Sequence, residues 1–513
     1  MLKRCCVQVS LCCLIAQSTG RGYNVTQRTI GMKQHLCRQS LEIELFSRMK
    51  KSVLLHQIAN IVGKENLLEQ LEDRCSYGYD ASRLKGIPDF VVFPADVHQV
   101  AQLVKLANRE HLAVYPRGAG SGMVGAAVPG SGGMVICINR LNRILEIDPD
   151  NMLAVVQPGV VTGQLQKELL DYGLFYPPDP ASLQFSTIGG NVAMCAGGPR
   201  AVKYGVTRDY VLGLEAVLPT GRIIRTGTRT VKGVVGYDLT RLLVGSEGTL
   251  GIFTRIVLRV VPAPETTRTL LAVFPRLEDA ARTVSEIIKQ RIIPSTLELM
   301  DQASIRAVEN HLHMGLPTEA EALLLIEADG REVLVREDMV RINQICRESG
   351  ASETETAHTE SDRERLWQAR RALSPALGRI RPGKINEDVT VPRTEIPALI
   401  RATRRIAEKY ELIIVCFGHA GDGNIHTNIM LDKKNRDELQ RAEKAVEELF
   451  RTVLALGGTL SGEHGIGIAK SPFFRWEIED AAFDTMWTIK RALDPLNIMN
   501  PGKMFVSDRA FFR

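Results

Sequence analysis

The sequence predicts an α+β protein, and three observations carry that expectation. Pro88–Pro94, Asp96–Arg109 and Leu112–Pro116 read as strand, amphipathic helix and strand. Many short apolar segments joined by Gly/Ser/Thr loops then run to Val261. After Pro262-Ala263-Pro264, strands and helices alternate without glycine loops, the pattern of a cap built on an antiparallel sheet.

Composition narrows the class. A chain of 513 residues is long enough for about three domains. With 44% hydrophobic and 24% charged residues it has a soluble globular balance. The net charge of +5 is small, and no Lys/Arg run or basic–aromatic stripe supports nucleic-acid binding. No stretch of about twenty apolar residues predicts a membrane span. We therefore expect a cytoplasmic protein, peripheral to a membrane only through a partner. Of ten cysteines, five lie in the first 37 residues and the rest are scattered, mostly in apolar runs. That pattern suits reduced thiols, not a disulfide framework. No closely spaced cysteine set of the iron–sulfur type is present, so such a cluster would sit on another chain.

Residues 1–48 fit no domain. Met1–Arg4 followed by Cys5–Ala16 has a basic start and an apolar middle, but Gln8 and Ser10 break it. We read the segment as a mis-assigned translation start, with the natural start at Met49. A targeting signal and a disordered extension are the alternatives. From Val53 to Leu71 apolar residues recur at helical spacing. Asp96 is placed to cap the next helix, and the strands flanking that helix should form a parallel pair.

Pro116–Gly125 carries glycine at 118, 120, 122 and 125, so backbone N–H groups can approach an anion closely. It is like a dinucleotide fingerprint, but no convincing helix follows, and a Rossmann reading fails. Strands are expected around Met134–Asn139 and Leu153–Val156, and a helix over Thr162–Tyr172. Ser186–Ala193 reads as a second Gly/Ser/Thr loop and Gly197-Gly198 as a third, before strand Val211–Leu218. Gly245–Gly251 closes the region ahead of strand Ile252–Val261. Several such loops lining one groove suit a long, phosphate-bearing cofactor. The plainer alternative is that they only join short strands.

In the cap, strands are expected at Thr269–Phe274, Ser295–Met300 and Ala322–Ala328, with helices at Leu277–Lys289 and Glu332–Glu348. Leu366–Arg371 should start a helix and Lys384–Pro392 form a strand. Arg401–Tyr410, Arg436–Leu456 and Asp480–Leu493 read as helices.

Two short stretches hold the chemistry. Gly418–His426 lies between the apolar runs Glu411–Phe417 and His426–Leu431, and Ala420–Asn424 has the composition of a hairpin turn. A hairpin places His419 and His426 on facing strands, close enough to share an ion. Ser461–Gly467 contains Glu463 as a third ligand, which leaves a coordination position open for substrate. Imidazole and carboxylate together suit a divalent metal, Zn or Mn. His464, beside Glu463, would move a proton. The plainer alternative is a pair of turns with incidental histidines.

Pro116–Gly122, Ser186–Ala193, Tyr204–Asp209, Gly245–Gly251, the His419/His426 turn, Ser461–Gly467 and Asn500–Lys503 occur in one order. That order resembles the FAD-linked 2-hydroxy-acid oxidoreductases of the vanillyl-alcohol-oxidase (PCMH-type) flavin fold. The similarity covers roughly residues 52–505, and includes catalytic subunits of glycolate oxidase, D-lactate dehydrogenase and D-2-hydroxyglutarate dehydrogenase. It implies a two-subdomain FAD-binding domain over 49–264, a substrate cap over 265–455, and a segment, 456–513, that returns to the flavin domain. It implies a cradle for FAD made by Pro116, Arg117, Gly118, Ala119, Gly120, Ser121 and Gly122 with Ser186, Thr187, Gly189, Gly190 and Asn191. Glu247 and Gly248 would lie near the flavin, with Asn500 on the returning segment. No His or Cys stands out for covalent attachment, so the FAD is expected to be non-covalent. Arg370 and Lys384 match positions that bind the substrate carboxylate in the family. Arg suits this through its bidentate fork, and Lys as a point charge.

The resemblance therefore implies oxidation of a D-2-hydroxy acid, of the glycolate or D-lactate type, to the 2-keto acid. Hydride would pass from C2 to flavin N5, assisted by the metal, with His464 as base. Electrons would go on to an iron–sulfur subunit or an electron-transfer flavoprotein. A flavin oxidase that reduces O2 directly and a non-catalytic flavin-binding subunit are the alternatives.

Overall fold

Asp96 begins a helix, as its position predicts. In the computed structural model, which describes residues 51–130 and 132–505, Val97–Glu110 is helical, and the Asp96 carboxylate accepts the Gln99 N–H at 2.9 Å. The extension over 1–48 lies outside the described residues. The chain divides into two compact units at Leu67. The described part of the first is a helix over 51–62 and a 3-10 turn, Lys64–Asn66. The helix expected to reach Leu71 ends earlier because Gly63 takes a left-handed φ of 86°.

In the second unit, Phe90–Val92 and Val114–Arg117 run parallel, but not as neighbours. Met134–Cys137 lies between them and pairs in parallel with both. Its four residues are all buried, which suits the centre of a parallel sheet. A second, antiparallel sheet has the order Ile144–Asp148, Leu153–Val156, Ile252–Arg259, Val211–Val217, Ile223–Gly227. The glycine segments join these elements. One of them is not a loop: Ile188–Met194 is a short helix whose N-cap is Thr187. Gly189, Gly190 and Asn191 form its first turn.

The cap is a seven-stranded antiparallel sheet, in the order Glu353–Thr356, Thr266–Phe274, Ala322–Gly330, Thr296–Asp301, Ile413–His419, Asn424–Leu431, Gly383–Thr390. One face packs against Leu277–Lys289, Glu332–Glu348, Ile396–Lys409 and Arg436–Ala455 through a large apolar core that includes Leu270, Leu299, Ile326 and Ile429. The other face is divided. Part packs against Gln302–Leu312 and Leu373–Leu377 through Met300, Val415 and Phe417. The rest carries polar side chains. Directly paired residues share a face, so the pairings Glu298↔His419, Phe417↔His426 and Asp388↔His426 bring Glu298, His419, His426 and Asp388 into one row. Leu366–Arg371 ends a helix, Glu360–Arg371, instead of starting one, because Thr359 and Asp362 form a capping box further upstream.

The cap is fastened to the first two sheets by Asp329, which accepts hydrogen bonds from Lys203 and from the Tyr204 hydroxyl. Near the end of the chain, Asn500 N–H donates to Val114 O and Val114 N–H to Ile498 O, at 2.7 and 2.8 Å. Among the described residues no helix is long and apolar enough to cross a membrane, and Cys75, Cys137, Cys195, Cys346 and Cys416 are free thiols.

Candidate active site

The hairpin between Ile413–His419 and Asn424–Leu431 forms where the turn composition predicts it. A side chain at Gly423, which has a φ of 90°, would run into Val391 O, so this turn requires glycine. The tight turn leaves the His419 and His426 rings edge to face, with centroids 5.1 Å apart. Glu463 joins them from the other glycine-rich stretch. Its Oε1 is 3.6 Å from Nε2 of each histidine, and one donor atom from each of the three residues lies within 4.8 Å of the others.

The donor set fits a divalent metal. Burial opposes ionisation of Glu463, but His419 and then His426 outweigh it and hold the carboxyl at about 2. Burial, reinforced by the charge of His419, pushes His426 down to about 3, so its ring is neutral. His426 Nδ1 is buried and has no partner. His419 is raised instead: its burial is outweighed by Glu298. Glu298 Oε1 stands 2.5 Å from His419 Nδ1, and its Oε2 accepts Arg370 Nε–H at 2.5 Å. A metal on Nε2 would displace the proton there and leave Nδ1–H directed at Glu298. Arg370 thus belongs to this cluster, with its guanidinium carbon 4.9 Å from the Phe417 ring centroid.

His464 stacks on His426, with centroids 5.4 Å apart and planes at 15°. Its Nδ1 is 3.4 Å from Asp388 Oδ1. Asp388 is fully buried and organises the whole turn. Its Oδ2 accepts the backbone N–H groups of Glu463 and His464, both at 2.8 Å, and the Ser461 hydroxyl at 3.0 Å. Burial would raise the Asp388 carboxyl, yet His464 and the ion-paired Lys470 hold it well below the carboxylate range. The far end of the turn is held by Glu247, whose carboxylate accepts Ile466 N–H at 2.7 Å and Gly467 N–H at 2.8 Å. The turn bearing Glu463 and His464 is therefore tied by buried carboxylates from the cap and from the Gly245–Gly251 loop.

Beside it opens a cleft. Pro116, Arg117, Gly118, Ala119, Gly120, Ser121 and Gly122 line it, with Thr187, Gly189, Gly190, Asn191, Glu247 and Gly248. Glu463 and His464 form part of the same wall. Glycines contributed by three segments, at 118, 120 and 122, at 189 and 190, and at 248, alternate in the lining with small and apolar residues. A Cβ at Gly190 would meet only Thr187 Oγ1, at 3.2 Å, and would otherwise stand in the open cleft. This suits a cofactor held through main-chain N–H groups, and FAD fits that lining. Arg117 holds its own loop in shape by donating to Tyr79 O at 2.7 Å.

Two expected wall residues stand behind the wall. Ser186 is buried against Thr162, with its hydroxyl 3.2 Å from Oγ1. Asn500 is buried and donates to Ala126 O at 3.0 Å and Glu247 O at 2.6 Å, so it holds the loop that lines the cleft. Lys384 also stands apart from the cluster. It shares the sheet face of Asp388 but lies four residues along the strand, about 13 Å away. Its ammonium donates to Ser374 Oγ at 3.0 Å. Sequence reading missed Glu298, Asp388 and Lys470. The available signal at Glu298 was a lone charge in an apolar strand, Leu297-Glu298-Leu299, whereas Asp388 lies in the polar run Asn386-Glu387-Asp388 and carried no such signal.

Residues 88–227 match the family described as FAD binding domain, and residues 263–504 match FAD linked oxidases, C-terminal domain. The chain is 46% identical over 453 residues to glycolate oxidase subunit GlcD of Bacillus subtilis (strain 168), covering 88% of this chain and 96% of that protein. It is 35% identical over 428 residues to a D-lactate dehydrogenase of Anaerostipes hadrus, covering 82% of this chain and 90% of that protein. Among solved structures, p-cresol methylhydroxylase with substrate bound aligns with a TM-score of 0.74 at 19% identity, over 89% of this chain and 97% of that one. At that identity the likeness shows the fold.

Proposed function

The chain belongs to the FAD-linked oxidases, and from that premise we propose that it oxidises a small D-2-hydroxy acid, of the glycolate or D-lactate type, to the 2-keto acid. The observation that carries this reading is the position of Glu463 and His464. Glu463 belongs both to the metal-type cluster and to the wall of the cleft, and His464, stacked on His426, stands on the same wall, so one small molecule can meet cluster and cleft together. When bound, FAD in the cleft supplies a two-electron acceptor, and a divalent metal (Zn or Mn) on His419, His426 and Glu463 supplies a Lewis acid for the hydroxyl.

The chain's own residues do the rest. Arg370, held through Nε by Glu298, has its Nη groups left for the substrate carboxylate. Lys384 adds positive charge further along the same sheet face. His464 takes the hydroxyl proton on Nε2 while Nδ1 stays turned to Asp388. The packing of the turn between Asp388 and Glu247 keeps that imidazole at the cleft wall. The Bacillus subtilis relative is named as a subunit, which supports a protein partner as the electron acceptor, an iron–sulfur subunit or an electron-transfer flavoprotein.

The test is the visible spectrum of the purified protein during anaerobic addition of glycolate, D-lactate and D-2-hydroxyglutarate in turn. Bleaching of the flavin bands by one of them is expected. Flavin that none of the three bleaches would overturn this reading. Reoxidation by air as fast as by an added acceptor would identify an oxidase.

A further inference from the structure

Glu298 has no place in the mechanism above except through its neighbours, yet it is among the most completely buried charges in the chain. It sits on the central strand Thr296–Asp301, between two apolar residues that face the opposite core. Each of its oxygens has one partner. Oε1 meets His419 Nδ1 and Oε2 meets Arg370 Nε, both at 2.5 Å. The two partners come from different elements, a cap strand and the end of the helix Glu360–Arg371. Strand pairing fixes the carboxylate relative to the histidine, because Glu298 and His419 are direct partners in the sheet.

We infer that Glu298 is a positioning residue that sets the distance between the metal and the substrate carboxylate. The inference rests on the function proposed above. Its physical basis is geometric. Hydrogen bonding at Nδ1 fixes the His419 ring and turns Nε2 toward Glu463 and His426. Hydrogen bonding at Arg370 Nε fixes the plane of the guanidinium and leaves its outer edge free for a planar anion. One rigid carboxylate therefore orients both anchors of an α-hydroxy acid, whose hydroxyl and carboxylate are on adjacent carbons.

The experiment compares Glu298→Gln with Arg370→Gln, measuring Zn2+ affinity by chelator competition and KM for the hydroxy acid that the native enzyme oxidises. Glu298→Gln should weaken Zn2+ binding by about 10–100-fold and raise KM as well. Arg370→Gln should raise KM while Zn2+ affinity stays within about threefold of native, since His419 keeps its partner. Native Zn2+ affinity in Glu298→Gln, or equal loss of Zn2+ in both variants, would overturn the inference. If the Gln variant does not fold, Glu298→Asp keeps the charge but cannot reach both partners, and native values for both quantities in that variant would be equally fatal. A native protein that binds neither Zn2+ nor Mn2+ would instead bring down the proposed function, and this inference with it.

Discussion

The glycine cleft and the metal-type cluster share a wall but are made of different materials. The cleft is lined by small and apolar residues, and at glycines such as Gly118, Gly120 and Gly189 the segments pack too closely for a Cβ. The cluster is built from buried charges that hold one another: Glu298 with Arg370 and His419, Asp388 with Lys470, Glu463 with two histidines. The cleft should therefore be sensitive to added volume and indifferent to small changes of charge. The cluster should be the reverse. His464 stands on the boundary, and substitutions on either side measure how sharp that boundary is.

The largest effect is expected at the boundary itself. His464→Ala removes the proposed base and leaves both the cleft glycines and the three metal-type ligands in place. Turnover should fall by about 10²–10⁴-fold, the usual contribution of a positioned acid–base group. Flavin absorbance and Zn2+ content should stay native. Loss of flavin along with turnover would show that His464 is a structural part of the cleft and that the two regions have no boundary there.

A smaller effect, confined to the cleft, is expected from Gly118→Ala. A Cβ at Gly118 would stand 2.4 Å from Thr187 Oγ1, the atom that caps Ile188–Met194 by accepting Gly190 N–H. The two cofactor-side segments must then move apart, at a cost of about 1–3 kcal/mol for an overpacked contact. Retained FAD after gel filtration should drop while Zn2+ affinity is unchanged. Equal loss of both would mean that the two regions behave as one unit.

The same difference of material explains what was legible in the sequence. Helices Leu277–Lys289, Glu332–Glu348 and Asp480–Leu493 have the predicted bounds because apolar spacing and charged flanks are local signals. The hairpin carrying His419 and His426 was equally readable, since the Ala420–Asn424 turn announces itself in composition. The helix Ile188–Met194 was not, because two glycines in its first turn look like a loop. Placement of Met134–Cys137 between two other strands was hidden as well, as it depends on pairing across the chain. Glu298 and Asp388 are the instructive cases. A lone acid in an apolar strand, as at Glu298, or one of two adjacent acids, as at Asp388, becomes informative only when the strand order sets it beside a histidine. Ser186 and Asn500 err the other way, since they belong to the right segments but point behind the wall.

The smallest effect should come from Lys384, and it tests the outer limit of the charged region. Lys384 is half-buried and about 13 Å along the strand from Asp388, with Ser374 as its hydrogen-bond partner. As a charge outside the cluster it should act on the substrate only at long range, so Lys384→Ala should raise KM by less than about tenfold, and by less than Arg370→Gln does. The change should shrink as salt is added. Burial, with a smaller contribution from Arg83, lowers the Lys384 pKa below the ordinary lysine value. The ammonium is therefore lost at a lower pH than in a free lysine, and raising the pH should increase the native KM toward that of the variant. If Lys384→Ala instead matches Arg370→Gln in KM and does not respond to salt, the lysine touches the substrate directly, and the charged region extends along the sheet as far as Lys384.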